Sequence, residues 1–437
     1  MINNEAIEKR LFASELNKNL IGKKVSIAGW VEDVRPLGAL IFLTVRDVSG
    51  VVQVIFNKSN TSQNVFLTAK SVARQSAIKI YGTVKESKAK VANVEIQAEN
   101  IQIVSKAQHP LPIDPTGRVG SSLDLRLDSR ALDLRNPFTS AIFKIKHIAL
   151  QSIRKTLLDE KFIEVNTPKI IGQAAEGGAN LFSLDYFGKK AFLAQSPQLY
   201  KEQLTLSLDR VFEISTYFRA EKSHTRRHLN EFVSVDIEAA FSYKEDVMDI
   251  LEKMVVKAIN DVLNNCKKEL KVLNRELEIP KVPFERITYS QAIEDLKGSG
   301  LKIKFGEDLN TKALRRLSKR HKDFYFITDW PTSLKPFYIE TKKDDDKISE
   351  SFDLMYGYLE LASGGTRVSD REKLEKRLMY CGLDPKNFSE HLKTFSWGMP
   401  VHAGWGLGLD RFVMFLTGMK NIREVVLYPR DRFRLTP

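Results

Sequence analysis

Phe218-Arg219-Ala220-Glu221 opens the stretch that decides how this chain is read, and Arg227-His228 and Glu231-Phe232 close it. An arginine is offset by two from an acid. A short, strongly basic loop, Lys222 to His228, follows, and an aromatic then resumes an apolar segment. The flanks Val211–Thr216 and Phe232–Phe241 both read as strands, so the loop joins a hairpin. Such a hairpin can hold a nucleotide: the guanidinium neutralises a phosphate, the acid accepts from an exocyclic amine, and Phe232 offers a face for a base. Taken alone, a basic hairpin loop is also an ordinary solvated turn, so its meaning rests on the rest of the chain.

A length of 437 residues exceeds one ordinary core, and two or three domains are expected. Apolar content of 43% and charged content of 28% fit a soluble globular protein. No apolar run approaches the roughly 18 residues of a membrane span, and Met1-Ile2-Asn3-Asn4-Glu5 carries no apolar targeting region. Cys266 and Cys381 stand far apart without metal-ligand spacing. Neither a structural zinc nor a disulfide framework is expected, and a reducing, cytoplasmic setting is. The net charge of +13 points to a polyanionic partner, most simply nucleic acid, although a generally basic proteome gives the same number.

Working outward, residues 1–105 read as all-β. Runs rich in Val and Ile lie at Lys24–Val34, Leu40–Arg46, Val51–Phe56, Ile78–Val84 and Val94–Val104, with a helix near Val65–Val72. Five short strands with a helix after the third predict a small OB-type barrel, a fold that binds single-stranded nucleic acid on one face. Pro110, Pro112, Pro115, Gly117 and Gly120 mark Lys106–Arg126 as a linker. The expected division is a barrel at 1–105, a hinge at 106–135 and a catalytic domain at 136–437.

From Ser140 the pattern is helical, with Ile142, Ile145, Ile148, Ala149, Ile153 and Leu157 on one face. A strand Phe162–Val165 follows and Pro168 ends it. A second helix is expected from Ser242, capped by Ser242 with Glu245. Strand-like runs at Val211–Phe218, Phe232–Phe241, Phe324–Ile327 and Leu359–Ala362 complete an α+β domain built on an antiparallel sheet flanked by helices. Lys342–Lys347 reads as an exposed loop.

Near the C-terminus stands Gly404-Trp405-Gly406-Leu407-Gly408-Leu409-Asp410-Arg411. Alternating glycines before an apolar helix permit close backbone approach to a ligand. The pattern is neither a dinucleotide fingerprint, since no βαβ unit surrounds it, nor a P-loop, since no GK[ST] follows. Arg411 sits where a second phosphate-binding guanidinium could act.

Taken together, Pro168 after a long helix and strand, Arg219 with Glu221 and Phe232, and the glycine run ending in Arg411 resemble motifs 1, 2 and 3 of the class II aminoacyl-tRNA synthetases. Order and spacing agree over essentially the whole chain. The upstream barrel resembles that of the subclass charging aspartate, asparagine or lysine. The short region between motifs 2 and 3 is similar to the archaeal and eukaryotic type, and within the family the chain most resembles the aspartyl-tRNA synthetases. The segment Gln195-Ser196-Pro197-Gln198-Leu199-Tyr200-Lys201 carries that resemblance, because the lysine of the family contacts the side-chain carboxylate of bound aspartate. A buried ammonium facing a neutral amide would be left unpaired, at a cost of roughly a few kcal/mol.

The resemblance implies roles for further residues. Arg367, in Ser363-Gly364-Gly365-Thr366-Arg367, is similar to the partner arginine for the same carboxylate. A cation pair beside one small anion is unfavourable unless the ligand supplies the charge. Glu176-Gly177-Gly178 resembles the loop that closes over the substrate ammonium, and Gln198, Leu199, Tyr200, Arg219, Asp236 and Ser363 complete the implied aspartate site. For ATP, Arg219 meets the α-phosphate and Glu221 the adenine amino group. Arg227 and His228 lie near the β- and γ-phosphates, Phe232 stacks under adenine and Arg411 faces the γ-phosphate. Ala220, Leu229, Gly408, Leu409 and Asp410 fill out that set. Arg219 and Arg411 are the implied catalytic pair. Glu360 and Ser363 resemble Mg²⁺ ligands, as hard oxygen donors should.

In the barrel, Phe42, Gln53 and Glu95 resemble the anticodon readers, the ring stacking on a base and the polar groups reading edges. The alternative for Phe42 is ordinary barrel core. Lys90 falls where the family decides whether only the aspartate tRNA or also the asparagine tRNA is accepted, and leans towards the former. Asp410 stands where a glutamate is usual, Thr366 where a glutamine is common, and Val368-Ser369 lacks a frequent histidine. The expected protein is a homodimeric aspartate–tRNA ligase using ATP and Mg²⁺, acting on L-aspartate and tRNA(Asp), with tRNA(Asn) as a second candidate and no membrane partner. The alternatives are an asparaginyl-tRNA synthetase and an inactive RNA-binding paralogue.

Overall fold

The computed structural model describes residues 9–87, 93–172, 181–222 and 224–437. They fall into two compact units that divide between Gly120 and Ser121.

In the first unit the strands are Lys24–Leu37, Leu40–Arg46, Val51–Asn57, Ala77–Glu86 and Val94–Ser105, with the helix Gln63–Ser71 after the third. The long first strand pairs antiparallel with both its successor and Ala77–Glu86, and Val51–Asn57 meets Val94–Ser105 in parallel, so the sheet closes on itself. Closure leaves few free edges. Alternate residues point inward: Val25, Ile27, Ile41, Leu43, Val45, Val54 and Phe56 are buried in one cluster. Phe42 lies on the opposite face from Ile41 and Leu43 and is only half-buried, which removes it from the core. A short strand, Arg10–Leu11, adds in parallel beside Ser26 and Ile27. Two residues carry no periodicity, so no pattern in the chain announces it.

The second unit is built on an eight-stranded sheet. Its strands run in space Glu285–Thr288, Phe324–Thr328, Ser351–Tyr356, Leu359–Thr366, His402–Gly408, Glu231–Ala240, Arg210–Phe218 and Ile163–Glu164. Only the two outermost pairings are parallel. The helices Pro137–Asp159 and Lys244–Asn265 and the C-terminal helix Leu409–Thr417 share one core with the central strands. Ile142, Ile145, Ile153 and Leu157 are fully buried there, each contributing about 1.5–3 kcal/mol. Strands Glu285–Thr288 and Phe324–Thr328, with the helices Tyr289–Gly298 and Thr311–Leu317, gather a smaller core around Tyr289, Tyr325 and Trp330.

Three boundaries differ from the sequence reading. The long helix starts at Pro137, because Asn136 Oδ1 accepts from Phe138 N at 2.9 Å and proline at the first position wastes no donor. The second helix starts at Lys244, not Ser242: Asp246 accepts from Tyr243 N at 2.8 Å, while Ser242 Oγ turns back to Ala240 O at 3.1 Å. The strand at Leu359 continues through Gly364 and Gly365 to Thr366. A Cβ at Gly364 would lie 2.4 Å from Gly404 O, so the glycine is an interstrand clearance rather than a strand end.

Candidate active site

The strands Arg210–Phe218 and Glu231–Ala240 form the expected hairpin in unbroken register. Asn230 seals its mouth: Arg219 N donates to Asn230 O at 2.9 Å, and Asn230 Nδ2 donates to Arg219 O at 2.6 Å and Glu221 O at 3.1 Å. Asn230 lies just past the basic loop, where no local pattern marks it. From outside, the C-terminal stretch grips the loop. Ile422 N donates to Arg226 O at 2.9 Å, Arg423 Nη1 to Thr225 O at 3.0 Å and Arg432 Nη1 to Lys222 O at 3.3 Å.

The hairpin forms one wall of a cleft of about 330 Å³. Arg219, Glu221, Arg227, His228, Leu229 and Phe232 border it from the hairpin, Gly408, Asp410 and Arg411 from the last strand and helix, and Glu360 and Ser363 from the neighbouring strand. The Arg219 guanidinium sits 5.4 Å from the centre of the Phe232 ring. Arg227 Nη2 donates to Thr311 Oγ1 at 2.7 Å, and Arg411 Nη1 to Glu360 O at 3.1 Å. Burial and the neighbouring Arg411 hold the His228 imidazole below its usual pKa, so an arriving polyanion would favour its protonated form.

Two implied nucleotide residues do not border this cleft. Ala220, between two residues that do, is absent from the lining. Leu409 is wholly buried in the main core, as the first residue of an amphipathic helix. Asp410 borders the cleft with both oxygens engaged, by Lys146 Nζ at 2.6 Å and Val233 N at 3.1 Å.

Helix Gln198–Leu208 supplies the floor. Its period buries Gln198, Lys201, Glu202 and Thr205 on one face, and Gln198 and Lys201 reach the cleft. The same period turns Leu199 to the cluster around Phe337 and Tyr338, and Tyr200 to that around Ile171 and Tyr217. Leu199 and Tyr200 therefore pack the helix in place and do not line the cleft.

The two floor cations are already balanced, which corrects the expectation that a ligand must supply their counter-charge. Lys201 Nζ stands 3.3 Å from Asp236 Oδ1 and 3.4 Å from Glu238 Oε2. Arg367 Nε donates to Glu238 Oε1 at 2.9 Å. Glu238 went unnoticed in the sequence, although two acids at alternate positions of a strand share a face and were a readable sign. The alternating glycines serve these acids. On the adjacent strand Gly406 pairs with Asp236 and Gly404 with Glu238. A Cβ at Gly404 would fall 2.5 Å from Glu238 Oε2, and one at Gly406 would fall 2.9 Å from Asp236 Oδ1. The glycine period of two is thus a strand period that makes room for carboxylates.

Glu360 and Ser363 lie an odd number apart, which on a regular strand would separate them. The register slips between Leu354 and Met355, so Ala362 and Glu360 face consecutive residues and Leu361 is extra. Both side chains emerge exposed on the cleft. Asp353, opposite Ser363, is held by Lys335 Nζ at 2.8 and 2.9 Å. Burial pushes the Asp353 carboxyl above its usual range, with Lys335 opposing the rise and Glu360 adding to it. Glu360 Oε1 accepts a long contact from Arg411 Nη1 at 3.4 Å and Ser363 bonds the Asp353 carboxylate, yet both are hard oxygen donors exposed on the cleft, so the residues present fit Mg²⁺.

In the barrel unit, Phe42 pairs across strands with Ile55, and Thr44 with Gln53. Gln53 Nε2 donates to Glu95 Oε2 at 2.9 Å. Glu176 and Lys90 lie outside the described residues.

A family model described as tRNA synthetases class II (D, K and N) matches residues 122–432. The chain belongs to this family. It is an aminoacyl-tRNA ligase, and as such it uses ATP and binds tRNA. A second model, an OB-fold nucleic acid binding domain, matches residues 25–104 of the synthetase. Two curated relatives are named aspartate–tRNA(Asp/Asn) ligase. That of Methanothermobacter thermautotrophicus is 45% identical over 98% of each chain, and that of Saccharolobus solfataricus is 47% identical over 97% of this chain and 98% of its own. Among solved structures, the asparaginyl-tRNA synthetase of Pyrococcus horikoshii with asparaginyl-adenylate superposes with a TM-score of 0.93 at 33% identity, covering 98% of this chain and all of its own. A putative aspartyl-tRNA synthetase from Leishmania major gives 0.91 at 29% identity, covering all of this chain and 97% of its own. Among the described residues of the synthetase, no helix is long and apolar enough to cross a membrane.

Proposed function

We propose that the chain is an aspartate–tRNA ligase, acting first on L-aspartate and ATP and then on tRNA(Asp), in a cytoplasmic setting. The observation that carries the amino-acid choice is Lys201. Its contacts to Asp236, Glu238 and Trp405 O are all long, 3.3 to 3.5 Å, so the ammonium keeps the capacity for a shorter bond to a substrate carboxylate. The amide of asparagine would turn either a weaker acceptor or a donor towards it.

The chemistry follows from an ionised nucleophile. The α-carboxylate attacks the α-phosphorus in line, the new C–O–P linkage forms, and diphosphate leaves with its electron pair. No protein base is required. Arg219 would neutralise the α-phosphate and Arg411, with Arg227 and His228, the departing end. Glu221 would accept from the adenine amine and Phe232 support the ring. Gln198 would accept from the substrate ammonium. Glu360 and Ser363 would hold Mg²⁺, which supplies charge neutralisation of the phosphates. A terminal ribose hydroxyl of tRNA then attacks the acyl carbon and AMP leaves.

In the barrel, Phe42 would stack on an anticodon base, with Gln53 and Glu95 beside it. Relatives named for both tRNAs support tRNA(Asn) as a second substrate. A homodimer is supported by apolar residues left exposed near the outermost strand, Leu158 and Ile163 among them. Sedimentation at micromolar concentration giving a monomer would contradict it.

The deciding experiment is ATP–pyrophosphate exchange with aspartate and asparagine in parallel, followed by charging of purified aspartate and asparagine tRNA transcripts. Exchange driven by asparagine alone overturns the assignment.

A further inference from the structure

Behind the cleft floor lies a buried cluster that no step above uses. Glu202, on helix Gln198–Leu208, is wholly buried. Gln198 Nε2 donates to its Oε1 at 2.6 Å, one helical turn away. His391 Nε2 and His402 Nε2 approach its other oxygen, Oε2, at 3.4 and 3.6 Å. These are ion-pair distances, and none of the three facing atoms has a hydrogen bond of good geometry. A buried carboxylate needs a counter-charge. Lys201 is turned to Asp236 and Glu238, and Arg367 to Glu238, so the charge must come from an imidazole.

The two rings differ in what binds their far nitrogens. His391 Nδ1 faces the Gln203 side-chain amide nitrogen at 3.2 Å, a donor, so Nδ1 is bare and the proton sits on Nε2. That ring is complete as a neutral tautomer. His402 Nδ1 stands 2.8 Å from Pro400 O, which only accepts, so Nδ1 carries a proton. A bare Nε2 would then aim a lone pair at a carboxylate oxygen. A second proton on Nε2 removes the repulsion and supplies the missing charge.

We propose that Glu202 and His402 form a carboxylate–imidazolium pair that positions Gln198 for the amino-acid substrate. An ionised Glu202 accepts only, so it claims the Gln198 NH₂ and leaves the amide oxygen for the cleft, where it meets the substrate ammonium. A neutral, protonated Glu202 could donate instead and would let that amide turn over. The inference rests on the reading of this floor as the amino-acid site.

The surroundings of His402 support the pair. Glu202 faces it from the floor helix and Glu238 acts on it from strand Glu231–Ala240, Arg367 N donates to its backbone carbonyl at 2.9 Å, and His391 shares Glu202 Oε2, while Lys201 is one contact further off, on Glu238. Burial works against the His402 proton, yet Glu202 and then Glu238 outweigh it and hold the pKa above the ordinary value. Burial likewise works against the Glu202 charge, and His391 and His402 outweigh it to hold that carboxyl well below its range. A raised histidine pKa means the pair is intact below that pKa and lost as pH rises through it. Aspartate binding should therefore weaken on the alkaline side.

The test uses the full-length enzyme. Nitrogen-15 NMR of the histidine rings at pH 7 should show both nitrogens of one ring protonated, a signal lost in Glu202→Gln. A neutral His402 overturns the proposal, and this readout needs no substrate. In aspartate-dependent exchange, Glu202→Gln should raise KM for aspartate about tenfold with kcat within about twofold, and abolish the alkaline rise of KM expected of the wild type. An unchanged KM, or a wild-type KM flat to alkaline pH, also overturns it. Wild-type exchange with asparagine alone would instead sink the amino-acid assignment and leave the NMR result standing, so the two failures are distinguishable.

Discussion

Arg367 grips Glu238 with two hydrogen bonds, Nε to Oε1 at 2.9 Å and Nη2 to Oε2 at 3.3 Å, and neither residue is more than 3% exposed. Lys201 leans on the same carboxylate. Glu238→Gln leaves two buried cations short of a partner, a loss of about 3–5 kcal/mol for a broken buried pair. The variant should melt well below the wild type by circular dichroism. An unchanged melting temperature would mean that Asp236 alone balances both cations.

Arg219 is held in place through its own backbone by Asn230, so Arg219→Ala removes a charge without opening the hairpin. Aspartate-dependent exchange should fall by about a hundred- to a thousandfold, the cost of one well-aimed charge donor. tRNA binding, followed by filter retention, should persist. Near-normal exchange would remove Arg219 from the α-phosphate.

Gly406→Ala should act on the amino acid rather than on ATP. The new methyl meets Asp236 Oδ1 at 2.9 Å and must displace the carboxylate that Lys201 leans on. Overpacking of about 1–3 kcal/mol corresponds to a rise of about five- to 150-fold in KM for aspartate. A matching rise in KM for ATP would show that the whole cleft had moved.

Asp431 and Arg423 form a nearly buried pair at 2.6 Å, and Arg423 in turn holds the loop carbonyl of Thr225. Burial opposes the Asp431 charge, but the Phe433 N–H and Arg423 outweigh it and keep the carboxyl below its usual range. A depressed carboxyl pKa gives stability that is full above the unfolded value, about 4, and is lost as pH falls through the folded one. The melting advantage of the wild type over Asp431→Asn should be constant near neutrality and shrink below about pH 4. KM for ATP should rise in the variant at neutral pH, as the loop loosens.

Phe42 presents its ring on the outer face of the barrel. Phe42→Ala should weaken tRNA binding by about 1–3 kcal/mol, the worth of one stacked base. Measured charging should show this as a raised KM for tRNA, with exchange followed in parallel to separate the two units.

Much of the fold was legible in the chain. Strand and helix periods are local, so the barrel strands from Lys24 to Ser105 and the apolar stripe from Ile142 to Leu157 could be read directly. Groups that are neighbours in the chain, such as Arg219 with Glu221, also declare themselves, because a short segment fixes their separation, whereas Gln198 and Lys201 were placed by the family resemblance. Tertiary structure alone decided the rest. It put Glu238 between Lys201 and Arg367, turned Leu199 and Tyr200 out of the cleft, and used one extra residue at Leu361 to bring Glu360 and Ser363 to the same side. It also changed the meaning of the glycines after His402 from a ligand cradle to a clearance for carboxylates on the next strand. These facts depend on the register between strands far apart in sequence, and a one-residue shift in register moves every side chain to the opposite face.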